Sequence, residues 1–387
     1  MWLSNVKLVL ADRIIENGGL RVESGVIADI VETDGPASGL TVFPGFIDMH
    51  GDMIELELEP RPKVDFPMDV AVNHLDARLA AAGVTTAYAG VSFSRSAKDG
   101  ARRSFAHTSA IIHALKENQK GLRVDHRIHA RFDITYTDAI NALEGLLAAG
   151  AVDLVSLMDH TPGQGQYRDV EKLIANRMGG GLSEAEARAY VEKRIGDRVA
   201  ADVILDNIQT VASLCKSYGV AMASHDDDTI EKAELMADIG TVISEFPVTL
   251  EAAQTAVRRH LMVAMGAPNA MRGQSYSGNL SAREAHKAGL LHIIAADYHP
   301  AAILPAIRAL APQDPGGLAG AVRLATSNPA RALGLNDRGE IAVGQRADLA
   351  IVDPSDRVVQ TYCNGEVIFS NGAGPTVTAA LKTPAIA

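Results

Sequence analysis

The stretch Phe43-Pro44-Gly45-Phe46-Ile47-Asp48-Met49-His50-Gly51-Asp52 closes an apolar run on two residues of ligand type. Residues two apart on a strand point to the same face, so His50 and Asp52 can offer one nitrogen and one oxygen to a single cation. The pair alone is weak evidence, and recurrence is what strengthens it. His129 and Asp133 fall on a later run, Asp159-His160 ends another, and His225 with Asp226-Asp227-Asp228 ends a third. Glu245 and Asp297 close two more. A divalent cation lowers the pKa of a bound water from about 15.7 to about 7 and polarises an oxygen under attack, which is hydrolytic chemistry. Nitrogen and oxygen donors without thiolate suit Zn, Mn or Fe, as one ion or two. His50, Asp52 and His225 are the leading ligand candidates. Asp133, Asp159 and His160 follow, and a carboxylate bridging two ions would come from that second set.

Each residue type also has a plainer explanation. His74, His107, His113, His260, His286 and His292 fall in helical stretches or inside strands, where a histidine is usually a surface or satisfied core residue. Asp227 and Asp228 suit the first turn of the helix that follows, which favours negative charge. Met49, Met158, Met262 and Met265 read as core filler.

The candidate ligands need elements to bring them together. Between residues 42 and 296, apolar runs alternate with helical stretches, the pattern of parallel strands joined by crossover helices. Eight strands are expected at 42–49, 85–91, 127–133, 153–158, 220–224, 241–245, 262–265 and 292–296. Eight points to a (β/α)8 barrel, whose active sites lie at the C-terminal ends of the strands. No G-x-G-x-x-G follows the first strand, which disfavours a dinucleotide fold. Short β-like runs with turn signals occupy both ends of the chain, so residues 1–42 and 340–371 are expected to form one small β-sandwich beside a barrel of 43–339. Residues 173–219 exceed one crossover helix. Ser183-Glu184-Ala185-Glu186 resembles a capping box there, so the segment reads as a helical insertion over the site mouth or as a surface elaboration. The tail, 372–387, reads as an arm or disordered.

Bulk properties bound the function. The 387 residues, 47% hydrophobic, support a large domain with a smaller satellite. A formal charge of −11 argues against a nucleic-acid partner. No apolar run reaches the roughly 18 residues that span a bilayer, so no membrane is expected. Cys215 and Cys363 have no paired spacing, which fits a reducing cytoplasm. A homo-oligomer is the expected assembly.

These residues carry a family resemblance over nearly the whole chain. Phe43 to His50 resembles the first-strand motif of the amidohydrolase superfamily, and Gly344-Gln345-Arg346-Ala347-Asp348-Leu349 resembles its return into the satellite domain. His50-Gly51-Asp52, Pro60-Arg61-Pro62, Leu157 to Gln164, Ala223 to Asp227, Glu245-Phe246-Pro247, Met265 to Asn269 and Ala296-Asp297-Tyr298 are together similar to its phosphonate-utilisation branch. The resemblance implies a distorted TIM-like barrel and cleavage of a small phosphorylated sugar, a ribose 5-triphosphate, into the 5-phosphate and pyrophosphate. It also implies that Asp297 takes the proton from the attacking water. A triphosphate requires cations and hydrogen-bond donors, for which the cationic Arg61, Lys63, Arg131 and Arg272 and the amide of Gln274 are the candidates, with backbone amides of Gly163-Gln164-Gly165 beside them. His50-x-Asp52 stands where many superfamily members have His-x-His and is itself typical of the branch. Glu57 and Met53 stand where the branch often carries His and Asn, so the resemblance reaches further for fold and metal chemistry than for substrate. The alternatives are hydrolysis of a cyclic amide, an N-acyl amino acid or an aminated base by the same barrel, and a non-catalytic scaffold.

Overall fold

The computed structural model describes residues 1–61, 64–93, 105–275 and 278–375. Lys63 and most of the expected tail lie outside them. Four strands lead: β1 (Trp2–Val9), β2 (Ile14–Glu23), β3 (Val26–Glu32) and β4 (Thr41–Pro44). Eight follow: β5 (Phe46–Gly51), β6 (Val84–Phe93), β7 (Asp125–Asp133), β8 (Leu154–Met158), β9 (Ala221–His225), β10 (Ile243–Glu245), β11 (Met262–Gly266) and β12 (Ile293–Ala295). The last three are β13 (Leu349–Val352), β14 (Val358–Cys363) and β15 (Glu366–Ser370).

Strands β5 to β12 form one eight-stranded parallel sheet in chain order, the barrel. Every residue of β5, β6 and β8 is buried. Strands covered on both faces carry continuous apolar runs instead of alternation, which is why they were legible as strands. Gly51, at the end of β5, bridges Asp297 just beyond β12 and joins the first strand to the last.

The two chain ends build a mixed seven-stranded sheet in the order β15-β14-β13-β4-β1-β2-β3. Leu3, Leu8, Leu20 and Ile27 share one buried cluster with Leu349, Ile351 and Tyr362, so neither end has a core of its own. The expected first barrel strand, 42–49, is in fact two strands. β4 pairs with β13 in the satellite sheet, and β5 begins the barrel. Gly45 makes the handover: its N–H donates to Asp348 O at 2.7 Å, and a Cβ there would lie 2.3 Å from Thr85 Oγ1.

Two compact units divide the chain: Met1–Ala89 with Glu117–Arg127 and the residues from Ile293 onward, and Gly90–Lys116 with Ile128–His292. In the second unit the expected insertion resolves into two inserted helices and a crossover helix. Val170–Gly179 and Glu184–Gly196 bury Leu173, Ile174, Ala187 and Val191 against each other. Ser183 and Glu186 form the capping box read from the sequence. Helix Ala201–Tyr218 is the crossover; its buried Asn207 donates to Ile134 O at 2.8 Å and Thr137 Oγ1 at 3.0 Å. Among the described residues, no helix is long and apolar enough to cross a membrane.

Candidate metal centre

In the second unit, β9 ends on His225 and β10 on Glu245, while His129, Arg131 and Asp133 share one face of β7. The fully buried Glu245 carboxylate stands between two imidazoles, with Oε2 3.1 Å from His225 Nδ1 and Oε1 3.5 Å from His129 Nε2. The chain then turns sharply. Asp226 adopts φ 52°, its N–H donating to Glu245 O at 2.9 Å, and its buried carboxylate comes beside His160, which follows β8. Asp226 Oδ2 lies 3.6 Å from His225 Nε2 and 3.7 Å from His160 Nε2.

This trio fits a divalent cation. Asp226 Oδ2 is buried and, among the described residues, has no hydrogen-bond partner, a costly arrangement for a carboxylate oxygen unless a cation compensates it. Two ligand atoms at about 2.1 Å from a tetrahedral ion stand about 3.4 Å apart, close to the spacing seen. His160, His225 and Asp226 offer atoms that all lie within 4.8 Å of one another. Burial pushes the Asp226 carboxyl above its usual range, opposed by His225, Lys232 and Arg131, so the site is electrostatically short of positive charge.

The three consecutive acids have three separate roles. Asp226 faces the histidines. Asp227 accepts the hydroxyls of Ser224 and Ser244, at 2.5 and 2.7 Å, binding the ends of β9 and β10 together. Asp228 accepts Gly165 N–H at 2.8 Å and so fixes the loop that carries His160. Thr229 caps the next helix through its hydroxyl, which displaces the expected capping role of Asp227 and Asp228. Lys232 donates to His225 O at 2.9 Å and Asp226 O at 3.2 Å, holding the strained turn from below.

The first unit presents a second group. His50 Nε2 is 3.4 Å from Asp52 Oδ1. Asp297 N–H donates to His50 O at 2.9 Å, and Asp52 N–H donates to Asp297 O at 2.7 Å, so the three are laced together by backbone. Beneath them the buried Asp48 accepts Ala296 N–H at 2.8 Å and His50 N–H at 3.2 Å. Burial raises its pKa to about 6 despite those donors. Asp297 has φ 57°, a third strand end in the left-handed region after Asp226 and Phe246.

The sequence profile of the amidohydrolase family matches residues 41–368. The chain belongs to the amidohydrolase family. This amidohydrolase is 38% identical over 367 residues to the alpha-D-ribose 1-methylphosphonate 5-triphosphate diphosphatase of Escherichia coli K12, covering 92% of this chain and 96% of that one. A 55-residue stretch, 14% of this chain and 10% of the other, is 46% identical to adenine deaminase 2 of Latilactobacillus sakei. Among solved structures, N-acetyl-D-glucosamine-6-phosphate deacetylase from Mycobacterium smegmatis superposes with a TM-score of 0.63 at 18% identity, over 95% of this chain and 100% of that one. The 5-methylcytosine deaminase of Klebsiella pneumoniae does so at 0.65 and 16%, over 98% and 100%. At such identities the structures share the fold.

The remaining sequence candidates of this amidohydrolase are placed as follows. Asp133 accepts Thr135 N–H at 3.0 Å and its hydroxyl at 2.6 Å; burial raises its pKa, and Asp159 adds to the rise. Asp159 accepts Thr161 N–H at 2.9 Å. Both carboxylates thus serve turns after their strands. Arg131 is buried and acts on Asp226 through its charge. Arg61 is exposed and bridges Val64. Arg272 and Gln274 are exposed, and Arg272 Nε donates to Pro268 O of its own helix at 3.2 Å. Glu57 is held by His74 at 2.6 Å and by Arg78, and Met53 is buried. Three residues of the site escaped the ligand set chosen from sequence: His129, Asp226 and Glu245. His129 carried a signal, since it shares a strand face with Arg131 and Asp133, and Glu245 ended a strand. Asp226 was masked by its two acidic neighbours.

Proposed function

We propose that this amidohydrolase cleaves a ribose 5-triphosphate bearing a 1-phosphonate into the sugar 5-phosphate and pyrophosphate. The observation that carries this reading is 38% identity to a diphosphatase across 92% of the chain, with the ligand-type residues at strand ends inside the matched region.

In this reading His160, His225 and Asp226 hold a divalent cation in the second unit, with His129 and Glu245 as further donors and Asp133 and Asp159 as further candidate carboxylates, and His50 and Asp52 are the donors of the first unit. A bound Zn, Mn or Fe supplies water acidic enough to ionise near neutral pH and polarises the phosphoryl oxygen. Asp297 accepts the proton of the attacking water on its carboxylate and returns it toward the leaving group. Its backbone is bonded on both sides to His50 and Asp52, which fixes the main chain from which that carboxylate projects. Arg131 contributes positive charge beside Asp226; Arg61, Lys63, Arg272 and Gln274 are assigned to the outer part of the substrate. Attack falls on the phosphorus nearest the sugar, so the oxygen from water ends in the 5-phosphate and pyrophosphate leaves intact.

Turnover in oxygen-18 water tests this directly. Mass spectrometry should find the label in the sugar 5-phosphate and none in the pyrophosphate. Label in pyrophosphate would overturn the site of attack. Ammonia release from a cyclic amide or an aminated base, with the triphosphate left intact, would overturn the reaction class.

A further inference from the structure

The two inserted helices bring cations to the loop that carries His160. From helix Glu184–Gly196, Arg194 Nη2 donates to His160 O at 3.0 Å, and just past its end Arg198 Nη2 donates to Pro162 O at 3.0 Å. From helix Val170–Gly179, Arg177 stacks over the Tyr190 ring at 5.0 Å, and Arg194 Nη1 lies 3.4 Å from the Tyr190 hydroxyl. The Tyr167 ring stands edge-on to His160, 6.0 Å between centroids. Its hydroxyl makes no hydrogen bond among the described residues, although the ring packs into the insertion's small core.

Arg188 and Arg259 meet carboxylates, and these arginines do not. Arg188, on the same helix as Arg194, is bonded to Glu171 and Glu184 at 3.0 Å. Arg259 is bonded to Glu234 and Asp238. Arg177, Arg194 and Arg198 have no acidic partner within 4.0 Å among the described residues, in a chain with eleven more acidic than basic side chains. Arg194 acts on the Asp133 carboxyl through its charge and without contact. Arg177 and Arg194, which both meet Tyr190, therefore repel one another with no direct carboxylate partner between them, and an anionic ligand relieves that cost. Each guanidinium also retains N–H groups that its bonds to backbone and ring do not use, and these match phosphoryl oxygens in pairs.

We infer that Arg177, Arg194 and Tyr167, with Arg198 behind them, form a polyphosphate-binding wall, so that the insertion grips the leaving pyrophosphate portion of the substrate. The wall is joined to the metal centre by covalent and hydrogen-bonded structure: the arginines hold the carbonyls of His160 and Pro162, and His160 itself faces Asp226. An anion seated on the arginines is therefore coupled to the position of a metal-ligating imidazole. This deepens the reading of the site as a triphosphate hydrolase and rests on it for the identity of the leaving group. It adds the insertion's arginines to Arg61, Lys63, Arg272 and Gln274 as groups for the outer part of the substrate.

Calorimetric titration of the metal-replete full chain with inorganic pyrophosphate tests the inference without turnover, with metal content measured before and after. Arg177→Met and Arg194→Met should each weaken binding about tenfold or more, as expected for the loss of a charge-assisted hydrogen bond, and Tyr167→Phe by less. Arg194→Lys should recover part of the loss, whereas Arg188→Met should bind as the parent does. Arg177 touches only a ring, so its variant reports on the ligand even where Arg194→Met disturbs the His160 loop. Parental affinity in both methionine variants, or orthophosphate binding as tightly as pyrophosphate, would overturn the site. Arginine-dependent pyrophosphate binding without triphosphate hydrolysis would instead sink the proposed reaction and leave this site standing.

Discussion

Two buried charge clusters of this protein solve opposite problems. Near the start of β7, Asp76 accepts Arg123 N–H, Val124 N–H, the Arg123 guanidinium and His126 Nε2, all at 3.0 to 3.1 Å. Asp125 takes the buried Arg338 at 2.6 Å and Arg127 at 3.2 Å. Burial alone would raise both carboxyl pKa values, yet the donors more than offset it and hold them below the ordinary range. At the strand ends of the second unit, Asp226 sits between two histidines, has an oxygen without a donor, and is raised by burial. The carboxylates of the first cluster already have their donors. The second cluster is deficient in positive charge, and a cation is what completes it.

Removing a ligand should break that contrast most severely. His225→Ala takes an imidazole from beside both Asp226 and Glu245, so bound metal and kcat should fall together, by more than the roughly 100-fold typical of residues that only orient ligands. Full metal occupancy by elemental analysis would remove His225 from the ligand set. Asp297→Asn keeps the shape and the backbone bonds of the strand end. It should lower kcat by about 100-fold to 10,000-fold with metal content and KM nearly unchanged, and near-parental turnover would refute the proton-transfer role.

The first cluster should respond in stability instead of activity. Arg338→Met leaves Asp125 without its buried partner, an expected loss of about 3 to 5 kcal/mol, read as a lower Tm with metal content intact. The smallest effect concerns pH and sharpens the comparison. Because the folded pKa of Asp125 is depressed, its stabilisation is fully present above the unfolded value of about 3.9 and is lost as pH falls through the folded one. The difference in Tm between parent and Arg338→Met should therefore shrink below about pH 4. A difference that stays constant into strong acid would mean that packing by Arg338, and not its charge, supports this region.

Local pattern carried the barrel in this sequence, because parallel strands covered on both faces are rich in apolar residues and such stretches recur between residues 46 and 295, although β7 carries His126, Arg127, His129 and Arg131. It also carried the strand-end positions of His50, Asp52, His225 and Asp297 and the capping box at Ser183, since each depends only on neighbours a few residues away. What local pattern could not carry was the choice among Asp226, Asp227 and Asp228, identical in type and adjacent in sequence. Their separate roles follow from a left-handed φ at Asp226 and from Ser244, Gly165 and His160, which arrive from other strands and loops. The split of 42–49 at Gly45 likewise depends on Thr85 and Asp348, far along the chain. Arginines with and without carboxylate partners read alike as letters. Arg188 has Glu184 one helical turn away, a pairing that local spacing allows, but its second carboxylate, Glu171, and the His160 carbonyl that holds Arg194 come from other segments, which only the tertiary structure brings together.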